Sequence, residues 1–382
     1  NKMIPYNFTF LSHPKICSGL KALEVIPFEL ESLNACKPLI ITSEKWSRKK
    51  LTKTIVKALY DSNIVIGALF DNAPAHPSST IINVLSKLYR ERSCDSIVAV
   101  GAGSVVNIAK SVNMVVSLKT DIVECANMTL SAPLKPFICV PTADCEGGEM
   151  AAMATCERFT KKSDYLYPDV IVIDPRITRN ATSEEIANCA LTSLSHAIEA
   201  CGIDTPNPIN DAYAHTALQF IYQYLPKTIK KPCNNDGSVA IVNAAACADI
   251  AFSNAPEGII HSLASIIAQD TNYKPGTIMG ILLRTSLHAK LATKQGIRPE
   301  LLLALAGIDT YAKTKENERQ KVAYDYLIKC IATTSRYIPS TLKKLTISHD
   351  KLKEYAKEAA AKNRDYKEKE YAELLAKAWE SK

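Results

Sequence analysis

No stretch of this chain approaches the roughly 18 to 20 uninterrupted apolar residues that a membrane-spanning helix needs, so no membrane association is expected. None of the twelve cysteines forms a C-x-x-C pair, and Cys139 and Cys145 have no metal-ribbon spacing. Thiols scattered in this way read as small buried hydrophobes in a reducing compartment. No basic, apolar and small-residue order of a signal peptide follows Asn1, and a cytoplasmic location is expected. The net charge of +7 comes without a basic stripe interleaved with aromatics. Its lysines fall in short pairs, such as Lys49-Lys50 and Lys343-Lys344, with acids between them, so no nucleic-acid partner is expected. Internal repeats and low-complexity linkers are also missing.

What is present is ordinary for a folded enzyme. The chain has 382 residues, 47% of them hydrophobic and 22% charged, which fits two domains and argues against disorder. Apolar runs at Pro38 to Thr42, Ile64 to Phe70, Ser96 to Val100 and Phe137 to Val140 alternate with helical patterns. That alternation predicts a parallel sheet covered on both faces. From about Arg176 helical periods dominate to the end of the chain. The expected architecture is an α/β nucleotide-binding domain of the Rossmann-like kind over 1–175 and an all-α domain over 176–382.

Two features carry chemistry. The first is Gly101-Ala102-Gly103-Ser104, where an apolar strand turns into a helix. Glycines there let the backbone approach a phosphate, and the helix N-terminus favours negative charge. The plain alternative is a tight turn needing positive φ. The string lacks the third glycine of G-x-G-x-x-G.

The second feature is a pair of apolar helices, each with one histidine. In the first, Thr182 and Glu185 have capping-box spacing, Gly202 is the expected stop, and Thr192 lies one turn before His196. In the second, His261 lies one turn before Ser265. A lone histidine in an apolar helix is usually a satisfied core residue, but two such helices point to a shared site.

S-H-A-I-E-A around His196 and G-I-I-H-S-L-A-S around His261 resemble the two metal-ligand helices of the iron-containing (group III) alcohol dehydrogenase family, whose architecture is also that of dehydroquinate synthase. G-A-G-S-V-V-N-I-A-K resembles the family's G-G-G-S-x-x-D-x-A-K pyrophosphate loop, with Ala102 and Asn107 as departures. Pro141 to Glu149 resembles P-T-T-A-G-T-G-S-E, with Asp144 and Glu146 placing carboxylates beside the expected pyrophosphate. Such charges weaken binding unless they point outward or pair with a lysine. Ser43 stands where an aspartate often bonds the adenosine ribose, which leaves NAD and NADP both open. Asp174 to Thr178 resembles D-P-x-L-T. The resemblance runs from about Pro38 to Ala292.

The resemblance implies an NAD(P)-dependent oxidoreductase acting on a small alcohol or aldehyde in the interdomain cleft, and a homodimer. It implies cofactor contacts from Ser43, Gly101, Ala102, Gly103, Ser104, Asn107, Thr142, Ala143 and Glu146. It also implies a divalent metal, iron or zinc, that polarises the substrate oxygen. Of the four ligand positions only His196 and His261 keep a ligand. Thr192 replaces an aspartate and Pro275 a histidine, while Ser265 replaces a proton-relaying histidine, so the expected metal site is altered or absent. Asp270 and Asn272 are the nearby oxygen donors. His196, His261 and Lys274 are then the expected donors to the substrate oxygen. The competing reading is a non-catalytic relative kept as a binding or assembly protein, and a third is another chemistry on the same scaffold, that of a phosphorylated polyol dehydrogenase or a dehydroquinate-synthase-like enzyme.

Overall fold

The computed structural model describes residues 8–157, 159–201, 207–293 and 297–380. The chain divides into two compact units. One holds 11–181 and 233–243, and the other holds 182–232 and 244–382 with the N-terminal residues up to Phe10. The expected helix stop at Gly202 lies outside the described residues.

The α/β unit contains eight strands among the described residues: β1 (Lys15–Ser18), β2 (Pro38–Thr42), β3 (Ala68–Phe70), β4 (Ser96–Val100), β5 (Phe137–Val140), β6 (Met153–Cys156), β7 (Phe159–Lys162) and β8 (Val170–Ile173). Its helices are α1 (Ile26–Ser32), α2 (Glu44–Arg48), α3 (Leu51–Leu59), α4 (Ser79–Glu91), α5 (Ser104–Leu118), α6 (Ile122–Asn127) and α7 (Pro175–Thr178). Six strands form one parallel sheet in the order β1-β8-β5-β4-β2-β3. Both of its faces are covered, which explains the unbroken apolar runs. Leu39, Ile41, Ile97 and Ala99 point into one core with α4 and α5, while Ile40, Val98 and Val100 point into the other with α1 and α3. This is the period of two of a strand buried on both sides.

The expected strand over Ile64 to Phe70 is shorter than predicted, covering only Ala68–Phe70. It is the sheet's edge, where only one neighbour supplies a ladder. Three elements had no signal strong enough to read. β1 (K-I-C-S) is a four-residue edge strand with only half-buried apolar residues. β8 (V-I-V-I) is wholly buried but too short for periodicity to register. The β6–β7 hairpin is antiparallel and stands apart from the main sheet.

From β2 the chain runs outward to β3, returns across β2 to β4, and then builds in the opposite direction. The reversal puts the carboxyl ends of β2 and β4 at the switch point, where open α/β sheets bind ligands. Ser43 follows β2, and Gly101 follows β4.

The helical unit contains α8 (Ser183–Ala200), α9 (Pro208–Thr228), most of α10 (Asn235–Ser253), α11 (Ile259–Asp270), α12 (Pro275–Thr293), α13 (Leu301–Lys313), α14 (Glu316–Ala332), α15 (His349–Lys362) and α16 (Glu368–Glu380). The expected capping box opens α8: Thr182 N–H donates to Glu185 at 2.8 Å, and Glu185 N–H donates to the Thr182 hydroxyl at 3.3 Å. Helix α12 crosses α8 closely at Gly276, where a Cβ would lie 2.2 Å from the Asn188 carbonyl oxygen.

One buried carboxylate joins the end of the sheet to its surroundings. Asp174, fully buried after β8, accepts from Leu23 N–H (3.1 Å), Arg176 N–H (2.9 Å) and the Arg176 guanidinium. Burial pushes its pKa up, but the Arg176 and backbone hydrogen bonds outweigh that and hold it below the ordinary carboxylate value. Arg176→Met leaves this charge buried and unpaired, and should cost about 3 kcal/mol in urea unfolding at pH 7. Because the folded pKa is depressed, the contribution is present above the ordinary value of 3.8 and is lost as pH falls below it. The gap between wild type and variant should therefore shrink below that pH.

Candidate functional site

In the α/β unit the candidate is the loop joining β4 to α5. Gly101 (φ 151°) and Gly103 (φ 51°) take conformations that L side chains rarely adopt, so these two glycines are required by the turn. Ala102 between them is buried, and Ser104 starts α5. Helix α5 has no capping side chain of its own at Gly103. The buried carboxylate of Glu149 does that work from the neighbouring loop. It accepts from Gly103 N–H (2.7 Å), Glu146 N–H (2.6 Å) and Gly147 N–H (2.9 Å).

A second tie runs the other way. Lys110, 1% exposed within α5, donates from Nζ to the carbonyls of Gly148 (2.9 Å), Ala151 (2.7 Å) and Met153 (2.8 Å). Helix α5 thus holds the 141–153 loop by its carbonyls, and that loop holds the start of α5 by its carboxylate. Neither residue was singled out from sequence, although each closes one of the two loop motifs. A lysine in an otherwise apolar helix was the available signal, since unpaired lysines are almost never fully buried.

The predicted cofactor residues divide by position. Ser43 is the N-cap residue of α2, and its side chain makes no capping hydrogen bond. Thr142 and Ala143 are fully buried. The Thr142 hydroxyl donates to Asp144, which also pairs with Lys45 at 3.1 Å. That lysine partner is one of the two ways in which a carboxylate here could be tolerated. Asn107 is turned to the hairpin, accepting from Thr155 N–H at 2.8 Å. The Glu146 carboxylate lies against Gly103, where a Cβ would sit 2.4 Å from its Oε2.

In the helical unit α8 and α11 do bring the two histidines together. His196 is fully buried and His261 is 6% exposed. Nε2 of His196 lies 2.9 Å from Nδ1 of His261, and Nδ1 of His196 lies 3.1 Å from Oδ1 of Asp249 on α10. Phe252 stacks on the His196 ring with centroids 4.1 Å apart. Asp249 was missed, although an acid inside an apolar helix marks a partnered group. The other predicted positions lie in plainer surroundings. Thr192 donates to the Asn188 carbonyl (3.0 Å), Ser265 donates to the Ser262 carbonyl (3.1 Å), and Pro275 begins α12 just after Lys274. Asp270, named as an oxygen donor, instead accepts from the Tyr355 hydroxyl (2.7 Å) and pairs with Lys351 (3.3 Å). Among the described residues no three His, Cys, Asp or Glu side chains are grouped as metal ligands.

Glu199, one turn beyond His196, caps α11. Its carboxylate accepts from Ile260 N–H (2.7 Å) and His261 N–H (3.2 Å) in a space that Gly258 leaves open. Burial pushes its pKa up to about 7, against the lowering pull of those hydrogen bonds and of His196.

A model of the iron-containing alcohol dehydrogenases matches residues 13–175, and one of the C-terminal domain of that family matches 186–377. The chain belongs to the iron-containing alcohol dehydrogenase family. It is 24% identical over 261 residues to the NAD-dependent methanol dehydrogenase of Bacillus methanolicus, covering 66% of this chain and 68% of that one. Among solved structures it is similar to a 1,3-propanediol oxidoreductase (TM-score 0.86, 23% identity, 98% and 100% of the two chains). It is also similar to the sulfoacetaldehyde reductase of Bifidobacterium kashiwanohense in complex with NAD+ (TM-score 0.82, 16% identity, 99% and 100%). At these identities the structures establish the fold. No described helix is long and apolar enough to cross a membrane.

Two outcomes follow from the two clusters. Lys110→Met removes the donor to three buried carbonyls and should cost about 3 kcal/mol in denaturant unfolding, with proteolysis first appearing in the 141–153 loop. Glu199 binds its proton more tightly folded than unfolded, so its contribution is complete below the ordinary value of 4.5 and is lost as pH rises through about 7. Wild type should lose about 2 kcal/mol of stability relative to Glu199→Gln between those limits, read from urea midpoints.

Proposed function

We propose that this protein is an NAD(P)-dependent oxidoreductase acting on a small alcohol or aldehyde, with a metal site altered from the family's or absent. The observation that carries this reading is the glycine-bracketed turn into α5 at the switch point of the sheet, in a chain of this family. Relatives described as NAD-dependent, or solved with NAD+, support the cofactor class. NAD(P) supplies the hydride acceptor or donor. This chain supplies the positive end of α5 for the pyrophosphate, with Gly101, Ala102, Gly103 and Ser104 around it and Ser43, Thr142 and Ala143 beside it. Ser43 bears no carboxylate against a 2′-phosphate.

The residues at the metal positions do not fit a divalent ion. Thr192 and Pro275 bring no anionic or imidazole donor, and the two histidines spend ring nitrogens on one another. No step is therefore assigned to a metal. Of the expected donors, His196 has both ring nitrogens engaged, by Asp249 and by His261, so polarisation of the substrate oxygen falls to His261, with Lys274 as a further cation. Twelve free thiols support a cytoplasmic setting, and a homodimer completes the reading.

The second reading, a non-catalytic binding or assembly protein, is favoured by one contact: the Glu146 carboxylate on Gly103 competes with a pyrophosphate for the same helix end. Titration with NADH and then NADPH, followed by nucleotide fluorescence, decides between them. The oxidoreductase reading expects saturable binding of at least one nucleotide, tightened about tenfold by Glu146→Gln, or about 1.4 kcal/mol. If neither nucleotide binds at millimolar concentrations, to wild type or to the variant, the oxidoreductase reading fails.

A further inference from the structure

At the opposite end of the sheet from the cofactor loops lies a cavity of about 240 Å³. Its walls come from the amino ends of β5 and β8, from α5, and from the segment that leads into β1. Phe137, Tyr165 and Tyr167 give it aromatic sides. Two polar groups in it are under-used. The Asp169 carboxylate takes one hydrogen bond from another described residue, the Phe137 N–H at 2.8 Å, and so keeps most of its accepting capacity. His13, stacked on Tyr167 with centroids 5.8 Å apart, has its Nδ1 buried with no hydrogen-bond partner among the described residues.

Buried polar atoms in native proteins are nearly always paired with protein, water or ligand, so each exception calls for an occupant. The walls are already built for one. Asn113 holds the backbone of Lys135 at both N–H (3.1 Å) and carbonyl (2.8 Å), and Lys110 is fixed by its three carbonyls. The volume is below the roughly 300–1,000 Å³ typical of drug-sized ligands, so the occupant is small. A half-buried carboxylate among aromatic rings selects a cation with an apolar body, through charge pairing and cation–π contact. Burial raises the Asp169 pKa, against the lowering pull of the Phe137 N–H and of the nearby His13. A bound cation would reverse that direction.

We propose that this cavity is a binding site for a small primary amine with an aromatic or apolar body, its ammonium on Asp169 and its body against Phe137, Tyr165 and Tyr167. The site is separate from the cofactor loops and stands whether or not the oxidoreductase reading holds.

The test uses 2-phenylethylamine as the probe, titrated into the intact protein and followed by amide chemical shifts. Saturable shifts centred on Phe137, Tyr165 and Asp169 are expected, with a dissociation constant of about 1 mM or tighter. Asp169→Asn keeps an oxygen for the Phe137 N–H and should weaken binding at least about tenfold, the loss of one charge-assisted contact. 3-Phenylpropionate, of similar shape and opposite charge, should bind at least about tenfold more weakly than the amine. Leu134→Trp puts a larger side chain into the cavity from a different wall residue and should abolish the shifts, which keeps the proposal open to refutation if Asp169→Asn fails to fold. The absence of saturable shifts at about 10 mM, equal binding of amine and acid, or undiminished binding to either folded variant would each overturn the proposal and leave a cavity filled with water.

Discussion

The α/β unit depends on a reciprocal exchange of buried charge between helix α5 and the loop before β6. Lys110 sends a cation from the helix into three loop carbonyls, and Glu149 sends an anion from the loop onto three backbone N–H groups, including the one at the start of the helix. Each satisfies backbone groups that irregular structure would otherwise bury unpaired, at a cost of kilocalories apiece. Loops of this length are normally mobile, but here the ends of charged side chains hold the irregular backbone as firmly as a ladder would. The arrangement also explains why the turn needs Gly103. Its backbone must offer an N–H to one carboxylate while a second, from Glu146, lies where its Cβ would be.

The same arrangement sets the terms for a nucleotide. The positive end of α5 is a ready anion site, yet two carboxylates of the protein's own already stand around it. Glu149 lies within the fold, binds three backbone N–H groups, and contributes order. Glu146 lies against the glycine, and a pyrophosphate must contend with it. Asp144, the other acid in that loop, pairs with Lys45 and accepts from the Thr142 hydroxyl.

The helical unit repeats the theme with imidazoles. Thr192 bonds to its own helix and Pro275 starts the next one. His196 and His261 turn to each other, with Asp249 behind them and Phe252 stacked on top. Buried imidazoles need partners, and for these two the nearest partner is the other ring. Glu199 then serves the backbone of α11, capping a helix whose N-cap residue, Gly258, has no side chain to do so.

Much of the architecture is legible in the sequence. Continuous apolar runs marked β2, β4 and β5, the Thr182–Glu185 spacing marked the start of α8, and Gly101 and Gly103 marked the turn, because each of these is a local rule about burial period, capping or φ. The motifs around His196 and His261 located the family. What local pattern left unread was pairing. Nothing near Lys110 indicates that its partners lie about forty residues on, and nothing near Asp249 points to His196. The edge strand β1 and the buried β8 escaped because four residues carry too little periodicity, and their pairing with each other spans most of the unit. Local pattern is enough to set the long helices, the buried strands β2, β4 and β5, and the end of α5 that attracts an anion. Which buried charges answer one another is set by long-range packing alone, since a side chain's partner depends on where distant segments come to lie.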